Sequence, residues 1–231
     1  MEKLLYPVWK RSNQSADDFR DHLLRTLGPL LLELPIRGLR IAVVDSETAA
    51  GAPLRQVNCR PAIDGMISVW LDTAWSRQDV EHTIEGNVLR TAGYLATESE
   101  PLECAAPVGE RTPGMSQVVF LQRPPRVPRE QWLEVWLGSH TDVAIETQAT
   151  FGYRQNVIAR PLTYAAPPFD AIVEENFPAA AMTSQHAFYG VDSDEALAQK
   201  QASMMESCVR FIDFDKLDVL ICSEYVLKPR A

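Results

Sequence analysis

The order of predicted secondary-structure elements, βαββαβ, occurs twice along this chain. Periodicity and turn residues give the strands of the first half at about residues 3–10, 39–44, 65–71 and 94–102, and its helices at 15–34 and 76–91. The second half has strands at about residues 115–122, 151–158, 169–177 and 218–227, and helical regions at 129–148 and 179–207. The Ala-, Pro- and Gly-rich segment 105–114 between the halves is typical of a linker.

The two halves also match in sequence at three places that occur in the same order. The matched blocks are residues 19–30 with 132–143, 63–66 with 169–172, and 99–100 with 223–224. The offset between the halves changes from block to block, as expected when duplicated units differ in loop length. We therefore predict a tandem duplication, with one unit at residues 1–104, a linker at 105–114 and a second unit at 115–231.

A βαββαβ unit of this kind folds as a four-stranded antiparallel sheet with both helices on one face, the ferredoxin-like arrangement. Its other face requires a cover, and two such sheets can bury each other face to face or edge to edge. The predicted fold is therefore α+β, with tandem ferredoxin-like units forming an intramolecular dimeric α/β barrel of antiparallel sheets. Exposed sheet edges can pair with a second copy of the chain, so a homodimer is also compatible with this fold.

The composition excludes several classes of partner. A formal net charge of −9 disfavours binding to nucleic acid or to anionic membranes, because both need basic patches. No apolar run reaches transmembrane length, and no signal peptide precedes the first strand, so we expect a cytoplasmic protein without a membrane partner. The four cysteines do not form a metal-binding motif, and we expect neither a metal nor another cofactor.

Four motifs of the second half occur in the order found in EthD-type domains of the dimeric α/β-barrel superfamily, and this half resembles them. The motifs are the W…H helix Trp132–His140, the strand Tyr153–Asn156, the segment Phe169–Ile172, and Phe211–Asp215 followed by Glu224. The first half resembles the family in pattern only. It has Leu27 where the second half has the histidine, which puts a second working site in doubt.

The resemblance implies a ferredoxin-like domain that pairs into a barrel, usually from two chains. Members of the family are associated with the catabolism of ethers and other organic compounds, and fungal relatives dehydrate or decarboxylate aromatic polyketides. The superfamily also contains cofactor-free monooxygenases and haem enzymes. The fold alone therefore does not define the reaction.

The candidate catalytic residues are His140, Tyr153 and Asn156. His140 shares a helical stripe with Trp132 and Trp136, and a histidine beside an aromatic pocket can act as a general acid or base. It can equally be a structural residue near the end of a helix. Tyr153 and Asn156 are three residues apart on a strand, so regular geometry places them on opposite faces. Each is also explained by a purely structural role.

The candidate substrate-binding residues are Trp132, Trp136, Asp213 and Glu224. Aromatic residues at helical spacing are more often part of a core than of a pocket. Either carboxylate can orient His140 or act as a base, and each can equally be structural.

We expect a small-molecule ligand and, as the leading hypothesis, an enzyme that acts on an apolar or aromatic, polyketide-like compound by His-assisted proton transfer. It would be a lyase, an isomerase or a cofactor-independent monooxygenase. The alternatives are a non-catalytic binding or assembly module and, with less support, a haem protein with His140 as its axial ligand.

Overall fold

A computed structural model describes residues 1–230 of the chain. Within this range the strands are β1 (Glu2–Trp9), β2 (Gly38–Val43), β3 (Gly65–Leu71), the two-residue β4 (Arg90–Thr91), β5 (Tyr94–Leu102), β6 (Met115–Leu121), β7 (Gly152–Pro161), β8 (Ala171–Phe177) and β9 (Asp218–Lys228). The predicted strands all form, and their ends differ from the prediction by at most a few residues.

The first helix of each half contains a π-helical stretch between α-helical turns. Helix α1 comprises Ala16–His22, the π-helical segment Leu23–Leu27, and Gly28–Leu32; helix α3 comprises Arg129–Leu133, the π-helical segment Glu134–His140, and Thr141–Thr147. The other α-helices of the described chain are α2 (Gln78–Asn87), α4 (Gln185–Tyr189) and α5 (Asp194–Cys208). Short 3-10 helices cover Ser46–Leu54, Ala74–Ser76, Ala179–Met182 and Phe214–Lys216.

Local signals define the helix boundaries. The Ser15 hydroxyl accepts a hydrogen bond of 3.0 Å from the Asp18 backbone amide and so caps the start of α1. The second helical region of the second half breaks at Gly190, whose φ of 60° ends α4 in the left-handed region. The connection between β2 and β3 begins with the 3-10 helix Ser46–Leu54.

Eight strands form a closed antiparallel barrel in the order β3-β2-β9-β6-β8-β7-β5-β1, and β1 pairs again with β3. The short β4 adds to one end of β1. The predicted α+β class and the predicted antiparallel barrel are confirmed. The two halves meet edge to edge, through β2 with β9 and β5 with β7. Within each half, the order of the long strands is fourth, first, third, second.

Alternation of side chains along the strands produces three apolar clusters. One cluster takes residues from all eight barrel strands, such as Leu5 and Phe120, and therefore fills the barrel interior. The other two lie outside the barrel, one between the first half's strands and α1–α2, the other between the second half's strands and α3–α5. No helix within residues 1–230 has both the length and the apolarity that a membrane crossing requires.

Part of the barrel interior is polar and almost fully buried. Lys3 on β1 donates hydrogen bonds of 2.7 Å to both Glu98 and Glu174. Arg154 on β7 lies 3.5 Å from Glu174 and forms an ion pair with Glu224 on β9. Every charge in this group has an opposite charge beside it, but some of its buried atoms, such as Glu174 Oε2 and Arg154 Nε, have no hydrogen-bond partner among the described residues.

Candidate functional site

A cavity of about 290 Å³ lies outside the barrel, between the second half's strands and the helices α3, α4 and α5. Most of its wall is apolar, but polar or ionisable side chains also reach it, among them Gln117, His140, Tyr153 and Glu175. We call this space the outer cavity. Its volume is at the lower end of the range for small-molecule sites, and its mixed lining is typical of them.

His140 ends the π-helical segment of α3, and its ring lies in the wall of the outer cavity. Its Nδ1 is 2.9 Å from the Ser207 hydroxyl on α5, and the ring packs on Phe211 with centroids 4.5 Å apart. Burial, with a smaller contribution from Arg210, lowers the pKa of His140 to about 4. The imidazole is therefore neutral at physiological pH. Its oxygen partner is Ser207, not one of the carboxylates proposed from the sequence.

Tyr153 and Trp136 supply two buried polar groups beside His140 in the cavity wall. Burial raises the pKa of Tyr153 well above its ordinary value, and the Glu175 carboxylate adds to this rise. The phenol therefore keeps its proton and is available as a donor. The Trp136 indole N–H is buried and faces the Tyr153 hydroxyl, whose rise in pKa it opposes, but it makes no hydrogen bond of regular geometry among the described residues. An oxygen atom of a bound molecule would satisfy it.

Glu175 is the cavity residue that sequence reasoning missed. It lies on β8 directly opposite Tyr153 on β7 and Gln117 on β6, so the three residues form a row across the sheet. The Gln117 amide donates a hydrogen bond of 3.1 Å to its carboxylate. Burial raises the pKa of Glu175 to about 7, and the bond from Gln117 opposes that rise. One sequence signal existed, because Glu174 and Glu175 interrupt a strand that is apolar on both faces.

Asn156 and Glu224 do not line the outer cavity. They lie in the polar barrel interior, on the other side of the sheet from Tyr153. The Asn156 amide donates 2.9 Å and 3.0 Å hydrogen bonds to the Ile172 carbonyl and the Glu174 carboxylate, and Glu224 pairs with Arg154. The opposite orientation of Tyr153 and Asn156 follows from the two-residue period of a strand.

Trp132 and Asp213 also lie outside the cavity lining. The Trp132 indole donates a 2.9 Å hydrogen bond to the Phe211 carbonyl and packs on Trp136, with ring centroids 5.2 Å apart. Asp213 precedes a 3-10 helix, and its carboxylate is 3.5 Å from the Lys216 ammonium. The structure thus places Trp136, His140 and Tyr153 in the lining of the outer cavity and the other four candidates outside it.

The first half has a packed core at the corresponding place. Leu27, which aligns with His140, is completely buried in a cluster with Phe19 and Leu23. Because the aligned helix supplies only aliphatic and aromatic groups here, this half offers no counterpart to the His140 side of the outer cavity.

The described residues do not fit a bound metal or haem at this place. No group of three or more His, Cys, Asp and Glu side chains suited to holding a metal ion occurs within residues 1–230. A haem needs a large apolar cavity with an axial ligand. The outer cavity is small even for drug-sized ligands, and a haem is larger than most of these.

Comparison with known proteins gives similarity of fold alone. No protein-family model and no curated protein matches the sequence. Among solved structures, an anthrone oxidase-like protein matches with a TM-score of 0.52 at 9% identity, over 100% of this chain and 94% of the other. A protein of Lactobacillus acidophilus, provisionally named a monooxygenase, has a TM-score of 0.48 at 9% identity, over 98% and 96% of the two chains.

A third structure, provisionally named a chlorite dismutase, has a TM-score of 0.45 at 10% identity, over 98% of this chain and 95% of the other. The chain therefore shares its overall fold with the anthrone oxidase-like protein. In this chain eight antiparallel strands close a barrel with helices packed outside it.

Proposed function

We propose that the chain is an enzyme that binds an apolar, aromatic or polyketide-like small molecule in the outer cavity and moves a proton there. One observation carries the proposal: the ionisable side chains of His140, Tyr153 and Glu175 meet at one cavity whose wall is otherwise mostly apolar. Ionisable groups with shifted pKa values in a concave apolar site are typical of catalytic centres.

The donors in the cavity suit a substrate that carries an oxygen atom. The Trp136 indole and the Tyr153 phenol can both donate to a carbonyl or phenolate, and the neutral His140 can exchange a proton with it. Dehydration, decarboxylation, isomerisation and cofactor-free oxygenation all involve proton movement next to such an oxygen. The structural neighbour with a TM-score of 0.52 is named for an anthrone, which is an aromatic ketone.

The proposal includes the resemblance to EthD-type domains and the tandem origin of the chain. Its support is that both halves order their long strands alike and carry a π-helical segment at aligned positions, Leu23–Leu27 and Glu134–His140. Residues 1–104 would then be the structural partner and 115–231 the unit with the site. Because the barrel closes within one chain, a homodimer is not needed to complete it, and dimerisation stays a prediction.

The test begins with the ligand. Native mass spectrometry of the purified protein should show a co-purified small molecule, and Val173→Phe, which fills the cavity wall, should abolish its retention. Its matched control is Ile67→Phe at the aligned position of the first half, with folding checked by circular dichroism.

Turnover of the identified compound then separates the alternatives. His140→Ala should retain the ligand and lose most of the activity, and unchanged turnover would contradict the role of His140. A wild-type protein that binds the compound without converting it would favour the non-catalytic binding module. An absorption band of bound haem would favour the haem alternative.

A further inference from the structure

We propose that Glu175, rather than His140, accepts the proton from the substrate, and that the substrate is a carbon or oxygen acid whose acidic hydrogen lies against β8. This inference rests on the proposed function, because it assigns a role within the same cavity. It adds a catalytic residue that was absent from the sequence-based set and restricts the class of ligand.

The position of Glu175 on the barrel wall is the first support. Register places it between Tyr153 and Gln117, and all three side chains lie on the outer side of the sheet and line the cavity. The carboxylate is therefore next to a phenolic donor and held by an amide donor. A base in this position can act on a molecule whose oxygen is bound by Tyr153.

The second support is that Glu175 has no cationic partner. Within residues 1–230, no Lys, Arg or His nitrogen lies within 4.0 Å of its carboxylate. Its neighbour Glu174, which faces the barrel interior, contacts Lys3 and Arg154. A buried carboxylate with one amide partner is costly to ionise, and a glutamine could fill the same space at lower cost. A glutamate here is therefore explained by chemistry better than by packing.

The third support comes from the other titratable groups that line the cavity, which are His140, Tyr153, Tyr189 and Cys208. Burial lowers the pKa of His140 to about 4, raises that of Cys208 to about 12, and raises those of both tyrosines. Only Glu175, at about 7, changes charge near neutral pH. His140 would have to become a buried cation next to Arg210, which makes it the weaker proton acceptor.

The step itself is a simple proton transfer. A C–H or O–H bond of the substrate breaks, its proton binds a Glu175 carboxylate oxygen, and the electron pair stays on the substrate. The negative charge spreads to an oxygen that the Tyr153 hydroxyl and Trp136 indole can stabilise. The proton returns to the product or to water, and the step consumes no oxidant.

The probe 5-nitrobenzisoxazole tests this assignment without the natural substrate. A base removes the C–H proton of its isoxazole ring, the N–O bond breaks, and the coloured 2-cyano-4-nitrophenolate forms. Quenching of tryptophan fluorescence reports binding separately. We expect the wild-type rate to rise with pH around a midpoint near 7, the pKa of Glu175.

Three variants locate the base. Glu175→Gln should bind the probe and lose about 10²-fold or more of the rate, the usual contribution of a general base. His140→Gln should leave the midpoint near 7, whatever it does to the rate, because the midpoint belongs to Glu175. Gln117→Leu removes the hydrogen bond that favours the carboxylate and should move the midpoint to higher pH.

The outcomes distinguish the two proposals. A Glu175→Gln protein that binds the probe and keeps the wild-type rate would overturn the assignment of the base, while the cavity would remain a ligand site. Loss of rate in His140→Gln with an unchanged Glu175→Gln would assign the base to His140. Failure of the wild-type protein to bind the probe would overturn both proposals. A rate that depends on Glu175, with no natural ligand turned over, would support the base and contradict the proposed function.

Discussion

Glu174 and Glu175 are consecutive residues on β8, but they lie on opposite sides of the barrel wall and their pKa values shift in opposite directions. Burial alone would raise the pKa of both. Lys3, Arg154 and Arg40 overcome this effect at Glu174 and hold its pKa well below the ordinary range. At Glu175 only the hydrogen bond from the Gln117 amide opposes the effect of burial, and the pKa rises to about 7. One carboxylate belongs to the ion-pair network of the barrel interior, and the other lines the outer cavity.

Replacing Glu175 by glutamine should remove a pH-dependent loss of stability. Below about pH 4.5 the Glu175 carboxyl is protonated in both the folded and the unfolded chain, and its contribution to the stability of the folded protein is fully present. As pH rises towards 7 the unfolded chain ionises first, so the folded state loses stability, by about 3 kcal/mol at about 1.4 kcal/mol per pKa unit. At pH 8 the free energy of unfolding of Glu175→Gln should therefore be higher than that of the wild type. Urea unfolding at pH 5 and 8 measures this, and a difference between the proteins that is the same at both pH values would contradict it.

The substitution Glu174→Gln should have the opposite effect. It leaves Lys3 and Arg154 in the barrel interior with one carboxylate fewer, and breaking a buried ion pair costs about 3 kcal/mol or more. Because its pKa is lowered by folding, Glu174 stabilises the protein above about pH 4.5, and this contribution is lost as pH falls below that value. Urea unfolding at pH 7 should show the loss. Stability equal to that of the wild type would mean that the remaining partners, Glu98 and Glu224, suffice.

His140 should remain neutral to unusually low pH. Its pKa of about 4 predicts that the imidazole takes up no proton between pH 7 and 5.5, whereas in the unfolded chain it titrates near 6.5. It therefore stabilises the folded protein above about pH 6.5, and this contribution declines as pH falls towards 4. Two-dimensional NMR of the histidine rings, with the His140→Gln spectrum for assignment, would follow it. A midpoint near 6.5 would contradict the burial of the ring.

Trp132 and Trp136 offer a matched pair, because both are completely buried and only Trp132 makes a hydrogen bond of regular geometry. Trp132→Phe leaves the Phe211 carbonyl unpaired and should cost about 1–3 kcal/mol beyond the loss of packing. Trp136→Phe removes an N–H that only faces the Tyr153 hydroxyl, so it should cost less stability and weaken ligand binding more. Thermal unfolding and probe binding on both variants check this, and equal effects in both assays would contradict the distinction.

Much of the fold could be predicted because its signals are local. The strand and helix order, the Ser15 cap and the break at Gly190 follow from the chemistry of neighbouring residues. The same reasoning placed Trp136 and His140 on one helix face and Tyr153 opposite Asn156 across a strand. Trp136, His140 and Tyr153 line the cavity, so the helix and strand periods located part of the candidate site.

What the sequence alone determined was the list of elements and the face that each side chain takes; which faces meet was decided by tertiary structure. Closure through β2–β9 and β5–β7 placed Asn156 and Glu224 in a polar interior, away from His140. It also placed Glu175 between Gln117 and Tyr153, which precede it in the chain by 58 and 22 residues. A periodic pattern cannot encode such contacts, because strand neighbours in a barrel are set by long-range pairing. The electrostatic environment of each glutamate depends on those neighbours.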